Sequence, residues 1–384
     1  MDESTLALFP HLITGTFIRR LNRFVIECDI GSRAVSAHLP NPGRLWELLL
    51  PGRTLSLVDN GEMPGRKMRY TAVAVERSDT PVLLHTQRTN TVVRWLIEHK
   101  KIPGMERAHI VKAEAPAGRS RFDFLLTEND RPFYLEVKSC TLFGNRIAMF
   151  PDAVTVRGRR HLEELAALSR GGVRSAVIFV IHFPHARYFL PDYHTDLAFS
   201  RTFYELRNDL TYKALAVTWD KDLTLGTDIR EVTIPWNMIA REANDGGSYI
   251  FILHLPLDTT LTVRKLGRVN FPKGYYLYVG SAKVNLSKRL ERHLRRKKNF
   301  FWHIDYLRDH ADRCMALPIR ASSPLEHDIA AALNTVADWR IPGFGSSDCS
   351  CNTHLFGMHD NPVDNYHFID ILINFRINRL EKEL

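Results

Sequence analysis

The sequence predicts a multidomain α/β protein in three parts: a small N-terminal β-barrel, a central α/β domain built on a β-hairpin, and a second α/β domain at the C-terminus. Three observations predict it. Residues 12 to 85 alternate short apolar runs with turn signals (LITGTFI, RFVIECDI, AVSAHL, TLSLVD, RYTAVAVE, VLLHT), the spacing of strands in a small barrel or sandwich. From residue 86 helical and strand patterns alternate, and the apolar run from Ala176 to Phe183 reads as a buried central strand. After Asn244-Asp245-Gly246-Gly247 the pattern restarts with strand, strand and helix. The expected boundaries are 1–85, 86–240 and 245–384.

The chain has 384 residues, 45% hydrophobic and 25% charged, which is ordinary for folded globular protein and excludes extensive disorder. A net charge of +9 points to a polyanionic partner, DNA foremost and RNA as an alternative. No apolar run approaches the length of a spanning helix, and MDESTLALFP lacks the features of a signal peptide, so no membrane partner and a cytoplasmic location are expected. Five scattered cysteines fit a reducing compartment.

Within the barrel, Arg20, Arg23, Arg66 and Lys67 fall near strand edges or in loops, where they can track a nucleic-acid backbone or simply form a solvated rim. Residues 90 to 99 read as a helix, and HIVKAEA from 109 as a strand. In the central hairpin, RFDFLL and FYLEVKS flank TENDRP. A turn centred on Asn129 and Asp130 sets Asp123 across from Glu136, with Lys138 on the same face. Two opposed acids repel unless a cation lies between them, which suits Mg²⁺ or Mn²⁺; the lysine can then hold a phosphate oxygen or orient water. A structural ion pair produces the same pattern. Thr155 to Arg170 reads as a helix capped by Thr155, with Arg157 and His161 on one face and able to reach a phosphate.

The D…(D/E)xK pattern over two adjacent strands resembles the PD-(D/E)XK nuclease superfamily. Its flanks resemble the sugar fermentation stimulation protein A family through Arg119-Ser120-Arg121-Phe122-Asp123-Phe124, Glu136-Val137-Lys138-Ser139 and Phe150-Pro151-Asp152-Ala153-Val154-Thr155, with Arg157-Gly158 and His161-Leu162. Arg20-Leu21-Asn22-Arg23-Phe24 and His38-Leu39-Pro40-Asn41-Pro42-Gly43 extend the resemblance into the barrel, although Leu39 stands where the family often has cysteine. The resemblance implies an OB-like barrel, a restriction-endonuclease-like α/β domain, DNA binding, and Glu114 as a third acid.

In the C-terminal part, SYIFILHL and GYYLYVGSA read as strands and LSKRLERHLRRKK as one helix. That helix sets Lys288, Arg289, Arg292, Arg295, Arg296, Lys297 and Lys298 against a single Glu291. Like charges one turn apart repel, and a phosphate backbone would relieve them. Gly247-Ser248-Tyr249, Tyr278-Val279-Gly280, Arg289, His293 and Glu326 resemble the motifs of GIY-YIG endonucleases, with serine in place of isoleucine and a long insertion between the tyrosines. The resemblance implies that Tyr249 and Tyr278 help activate water, that Arg289 stabilises phosphate charge with His293 one turn beyond, and that Glu326 holds Mg²⁺. Cys349, Cys351 and His354 offer three ligands to Zn²⁺, one short of a structural site unless Cys314 joins them, so the cysteines are expected to be small buried residues. Asp348 and the Gly343-Phe344-Gly345 turn are expected at the mouth of this site. The expected function is metal-dependent phosphodiester hydrolysis on DNA. The alternative is a DNA-binding regulator of sugar metabolism that keeps nuclease folds without cleavage.

Overall fold

The computed structural model describes residues 5–62, 65, 67–346, 349 and 351–384. Arg66 and Asp348 lie outside the described residues. The chain divides into two compact units, Met1–Ile239 with Glu383–Leu384, and Ala240–Lys382.

The first unit begins with β1 (Ile13–Asn22), β2 (Val25–Asp29), β3 (Ala34–His38), β4 (Thr54–Asp59), β5 (Tyr70–Arg77) and β6 (Thr80–Leu83). Strand β1 is long and carries register shifts after Phe17 and Arg20, and it pairs with both β2 and β4. Such shifts bend a strand. The sheet closes on itself where β3 meets β5 in parallel, Ala37 with Tyr70 and His38 with Thr71. The order β1-β2-β3-β5-β4 is a closed five-stranded OB barrel, with β6 added outside β5.

Next come α1 (Arg88–Glu98), β7 (His109–Ala117), β8 (Ser120–Glu128), β9 (Arg131–Cys140), β10 (Leu142–Phe143), β11 (Ile147–Phe150), α2 (Val156–Arg170), β12 (Ser175–Ile181), β13 (Tyr188–Pro191), α3 (Leu197–Glu205), β14 (Thr211–Trp219), β15 (Leu225–Glu231) and α4 (Trp236–Glu242). The main sheet runs β15-β14-β12-β9-β8-β7. Strands β9, β12 and β14 are parallel, and β12, buried at every residue, is the expected central strand. Helix α1 packs Val92, Val93, Leu96 and Ile97 against Phe124, Leu126, Phe133 and Ile178, and Val73, Ala74 and Leu83 of the barrel join the same core. Barrel and central domain are therefore one packed body.

The second unit contains β16 (Gly247–Leu255), β17 (Thr259–Val263), β18 (Gly267–Phe271), β19 (Gly274–Ala282), α5 (Leu286–Leu294), α6 (His303–His310), β20 (Arg313–Arg320), α7 (Glu326–Val336), β21 (Trp339–Arg340), β22 (Leu355–Met358) and α8 (Tyr366–Arg376). Its sheet is antiparallel in the order β20-β16-β19-β22-β21. The insertion between the two tyrosine strands folds as its own hairpin, β17–β18. Gly247 has φ +126°, and a Cβ there would meet backbone atoms of Ile319, Arg320 and Ala321. Helix α5 stops at Leu294, so the Arg295 to Lys298 run expected on it lies beyond its end. Among the described residues no helix is long and apolar enough to cross a membrane.

Candidate functional sites

The hairpin turn falls at Asn129 and Asp130, both with positive φ (50° and 61°), as a two-residue hairpin of this hand requires. The ladder from Glu128↔Arg131 to Phe124↔Leu135 leads next to Asp123 and Glu136. There Asp123 breaks the pattern: Oδ2 accepts from the backbone N–H of Val137 at 2.7 Å, and Oδ1 from Asn90 Nδ2 at 2.6 Å. Glu136 is 4% exposed. Its Oε1 accepts from Lys138 Nζ at 2.5 Å and lies 2.7 Å from His161 Nδ1. Arg157 Nε donates to His161 Nε2 at 3.3 Å, which makes Nδ1 the protonated, donating nitrogen.

Burial opposes ionisation of Glu136, but Lys138 and His161 outweigh it and hold its pKa below the usual carboxylate range. Burial, and then the charge of Glu136, push Asp123 up to about 6. Glu136 Oε2 is buried and has no hydrogen-bond partner. An ionised carboxylate with an orphaned oxygen beside a second acid that burial disfavours as an anion fits a hard divalent cation. A cleft of about 280 Å³ adjoins the site, lined by Lys138, Asn90 and Thr155 of the central domain and by Arg23, Asn41 and Gly43 of the barrel, among others.

Two expected roles change. His161, 2% exposed, cannot reach a phosphate in solvent; it orients Glu136. Glu114 lies opposite Asp123 in the β7–β8 register, but it is exposed with φ 50°, and among the described residues no hydrogen bond or ion pair joins it to the acids. Asn90, brought in by the first turn of α1, was not legible, because no spacing rule ties it to Asp123.

A second acid group, also unforeseen, lies in the same unit. Asp152 Oδ2 accepts from Leu45 N at 2.7 Å, and Asp192 Oδ1 accepts from the backbone N–H groups of His194 and Thr195. Burial, and then Asp152, raise Glu47 to about 8, while burial raises Asp152 to about 6.

In the second unit a pocket of about 470 Å³ is lined by Tyr249, Tyr278, Ser281, Arg289, Trp302 and Glu326, among others. Tyr249 is 2% exposed, and its hydroxyl lies 2.9 Å from His293 Nε2. Burial, and then Tyr278, raise the phenol of Tyr249 well above its usual pKa; burial, and then Lys298, push His293 down to about 3. Both shifts favour the neutral form. Arg289 donates to the Ser281 carbonyl and lies 5.1 Å over the Trp302 ring. Glu326 Oε2 accepts from the Ser281 hydroxyl, and Oε1 is 3.1 Å from His354 Nδ1, an ion-pair distance off the direction of a good hydrogen bond. Burial works against its charge, but His354 and Ser281 prevail and lower its pKa.

The expected DNA-binding cations divide by what they touch. Arg20 spends its guanidinium on the backbone carbonyls of Asn22, Arg23, Asn41, Gly43 and Arg44, so it shapes the loop bordering the cleft. Arg292 and Lys298 both bond Asp305, which is 0% exposed. Their charge neutralises a buried acid. Arg23, Lys67, Arg157, Arg295, Arg296 and Lys297 are exposed. Cys349 and Cys351 are half-buried rather than buried as expected, and with His354 they lie close to His327; Cys314, on edge strand β20, is not part of that cluster.

The fold and the paired acids define a protein in which an OB barrel is joined to a restriction-endonuclease-like α/β domain, with a further α/β domain following. Residues 18–84 match the family described as SfsA N-terminal OB domain, residues 87–222 the Sugar fermentation stimulation protein RE domain, and residues 248–374 a Domain of unknown function, DUF123. A sugar fermentation stimulation protein homolog of Methanosphaera stadtmanae is 39% identical over 202 residues, 52% of this chain and 84% of that protein. One from Chloroflexus aurantiacus is 41% identical over 197 residues, 51% of this chain and 76% of that protein. The structure of Pyrococcus furiosus SfsA in complex with Ca²⁺ is similar at 29% identity with a TM-score of 0.54, covering 59% of this chain and 96% of that one. The chain belongs to the sugar fermentation stimulation protein family.

Proposed function

We propose that this protein binds DNA and hydrolyses its phosphodiester bonds with Mg²⁺ or Mn²⁺. The observation that carries the reading is Glu136, held ionised by Lys138 and His161 while its buried Oε2 has no partner, next to an Asp123 that burial disfavours as an anion. Asp123 and Glu136 would hold the cation. When bound, it would supply Lewis acidity and a water of lowered pKa. Lys138, on the cleft wall, carries a positive charge for a phosphate oxygen, and Arg23, which also lines the cleft, carries another. His161 keeps Glu136 in one orientation. The Ca²⁺ complex of the Pyrococcus furiosus relative supports a hard-cation site in this fold.

In the second unit, Glu326 is the acid for a cation, Arg289 the phosphate partner, and Tyr249 and Tyr278 the pocket walls beside them, the GIY-YIG reading. Backbone contacts carry no sequence information, so RNA is an alternative polyanion. A second reading, a DNA-binding regulator without cleavage, is favoured by one observation: the oxygens of Asp123 and of Glu326 all lie close to protein partners of their own.

The test is cleavage of labelled single-stranded, duplex and branched DNA with Mg²⁺, Mn²⁺ or EDTA, using wild type, Glu136→Ala, Glu326→Ala and the double variant. Metal-dependent cutting lost in one single variant assigns the working centre. Cutting lost only in the double variant assigns both. Salt-sensitive binding without cutting under every condition replaces the enzyme reading with the regulator.

A further inference from the structure

We propose a structural Zn²⁺ site in the second unit, formed by His327 Nδ1, Cys349 Sγ, Cys351 Sγ and His354 Nε2. The proposal stands whether or not the protein cleaves DNA. One ligand atom from each of these four residues lies within 4.8 Å of those of the other three. The closest contacts are 3.2 Å from His327 Nδ1 to Cys351 Sγ and 3.5 Å from Cys349 Sγ to His354 Nε2. Zn–S and Zn–N bonds of about 2.3 and 2.0 Å in a tetrahedron require ligand atoms about 3.5 Å apart. The donor cluster therefore needs only a small contraction to close around an ion.

The donor set selects the metal. Two thiolates and two imidazoles suit Zn²⁺ and reject Mg²⁺ and Ca²⁺, and four protein ligands leave no open position for chemistry. A carboxylate also stands behind one of the four ligands. His354, 2% exposed, has Nε2 toward Cys349 and Nδ1 3.1 Å from Glu326 Oε1. A carboxylate behind a metal-bound histidine is the usual means of fixing its tautomer and ring plane. His327 is the neighbour of Glu326 in the first turn of α7, so the ion would tie that turn to Cys349, Cys351 and His354. Zinc would thus hold the orientation of Glu326 at the edge of the second pocket.

The full-length chain, purified under reducing conditions without chelator, is assayed for zinc by mass spectrometry. Apoprotein is then titrated with Co²⁺ and followed by visible absorption. Expected are one equivalent of zinc per chain and the intense visible bands of tetrahedral thiolate-bound Co²⁺. Cys351→Ser and His327→Gln lose the zinc. The proposal is overturned if reduced wild type carries no zinc and gives no tetrahedral Co²⁺ spectrum. It is equally overturned if the zinc is undiminished in Cys349→Ser, Cys351→Ser and His327→Gln. The cobalt titration uses wild type alone, so a variant that fails to fold does not decide the result.

Discussion

Tyr249 faces Gly280 across the β16–β19 ladder, and its phenol lies over the glycine to meet His293 at 2.9 Å. A Cβ at residue 280 would collide with the hydroxyl, so glycine is needed there for room. Gly280→Ala is expected to destabilise the second unit by about 1–3 kcal/mol through overpacking. Tyr249→Phe keeps the ring, loses one hydrogen bond and should cost about 1 kcal/mol. Denaturant unfolding measures both, and equal stabilities for all three proteins would refute the pairing.

His161 acts on the first centre through Glu136. Removing it as His161→Ala should weaken Mn²⁺ binding by about ten- to a hundredfold, the usual cost of losing a group that orients a metal ligand. His161→Asn retains a donor near the Nδ1 position and should recover part of the loss. Isothermal titration calorimetry with Mn²⁺ distinguishes these outcomes from a merely structural histidine, for which metal affinity would not move.

The basic run that begins in α5 and continues past its end separates into two kinds of cation. Arg292→Ala or Lys298→Ala leaves Asp305 with less compensation in a buried position and should cost about 3 kcal/mol or more. Replacing Arg295, Arg296 and Lys297 together by alanine should change stability by under about 1 kcal/mol. The triple variant should instead weaken DNA binding and make its logarithmic salt dependence shallower by about 2–3, as read by fluorescence anisotropy over a salt series. An unchanged slope would remove these residues from the interface.

Glu47 provides a pH dependence. Burial, and then Asp152, raise its pKa to about 8, so the folded chain holds this proton more tightly than the unfolded chain does. Its contribution to stability is complete below the ordinary glutamate range and is lost as pH rises toward 8. Glu47→Gln removes the cost of ionisation. The melting temperature of the variant should exceed that of wild type by an amount that grows between pH 5 and pH 8, and a constant difference would contradict the assignment.

What was legible in the sequence was local. The Asn129-Asp130 turn set the Asp123–Glu136 relation because turn chemistry and strand alternation act over neighbouring residues. Thr155 caps α2 for the same reason, accepting from Gly158 N. The failures are long-range. Helix α5 ends earlier than its sequence suggests, and Asp305, from another helix, draws Arg292 and Lys298 inward. Arg20 looked like a surface cation because its carbonyl partners lie up to 24 residues away. Cys349, Cys351 and His354 meet His327, which lies 24 residues upstream of Cys351 on another element, a neighbour that no local spacing announces.

The two-residue turn at Asn129-Asp130 also acts as a ruler. Six residues separate Asp123 from Asn129, about 20 Å of strand. Strand alternation transmits any change in turn length undiminished along that distance. One inserted residue that shifted the ladder by a single step would bring a leucine or a valine opposite Asp123 in place of Glu136. Surface loops commonly tolerate insertions, but at this tip the freedom to drift in length is removed, because the count of residues in the turn decides whether two carboxylates or one carboxylate and a hydrocarbon meet at the far end.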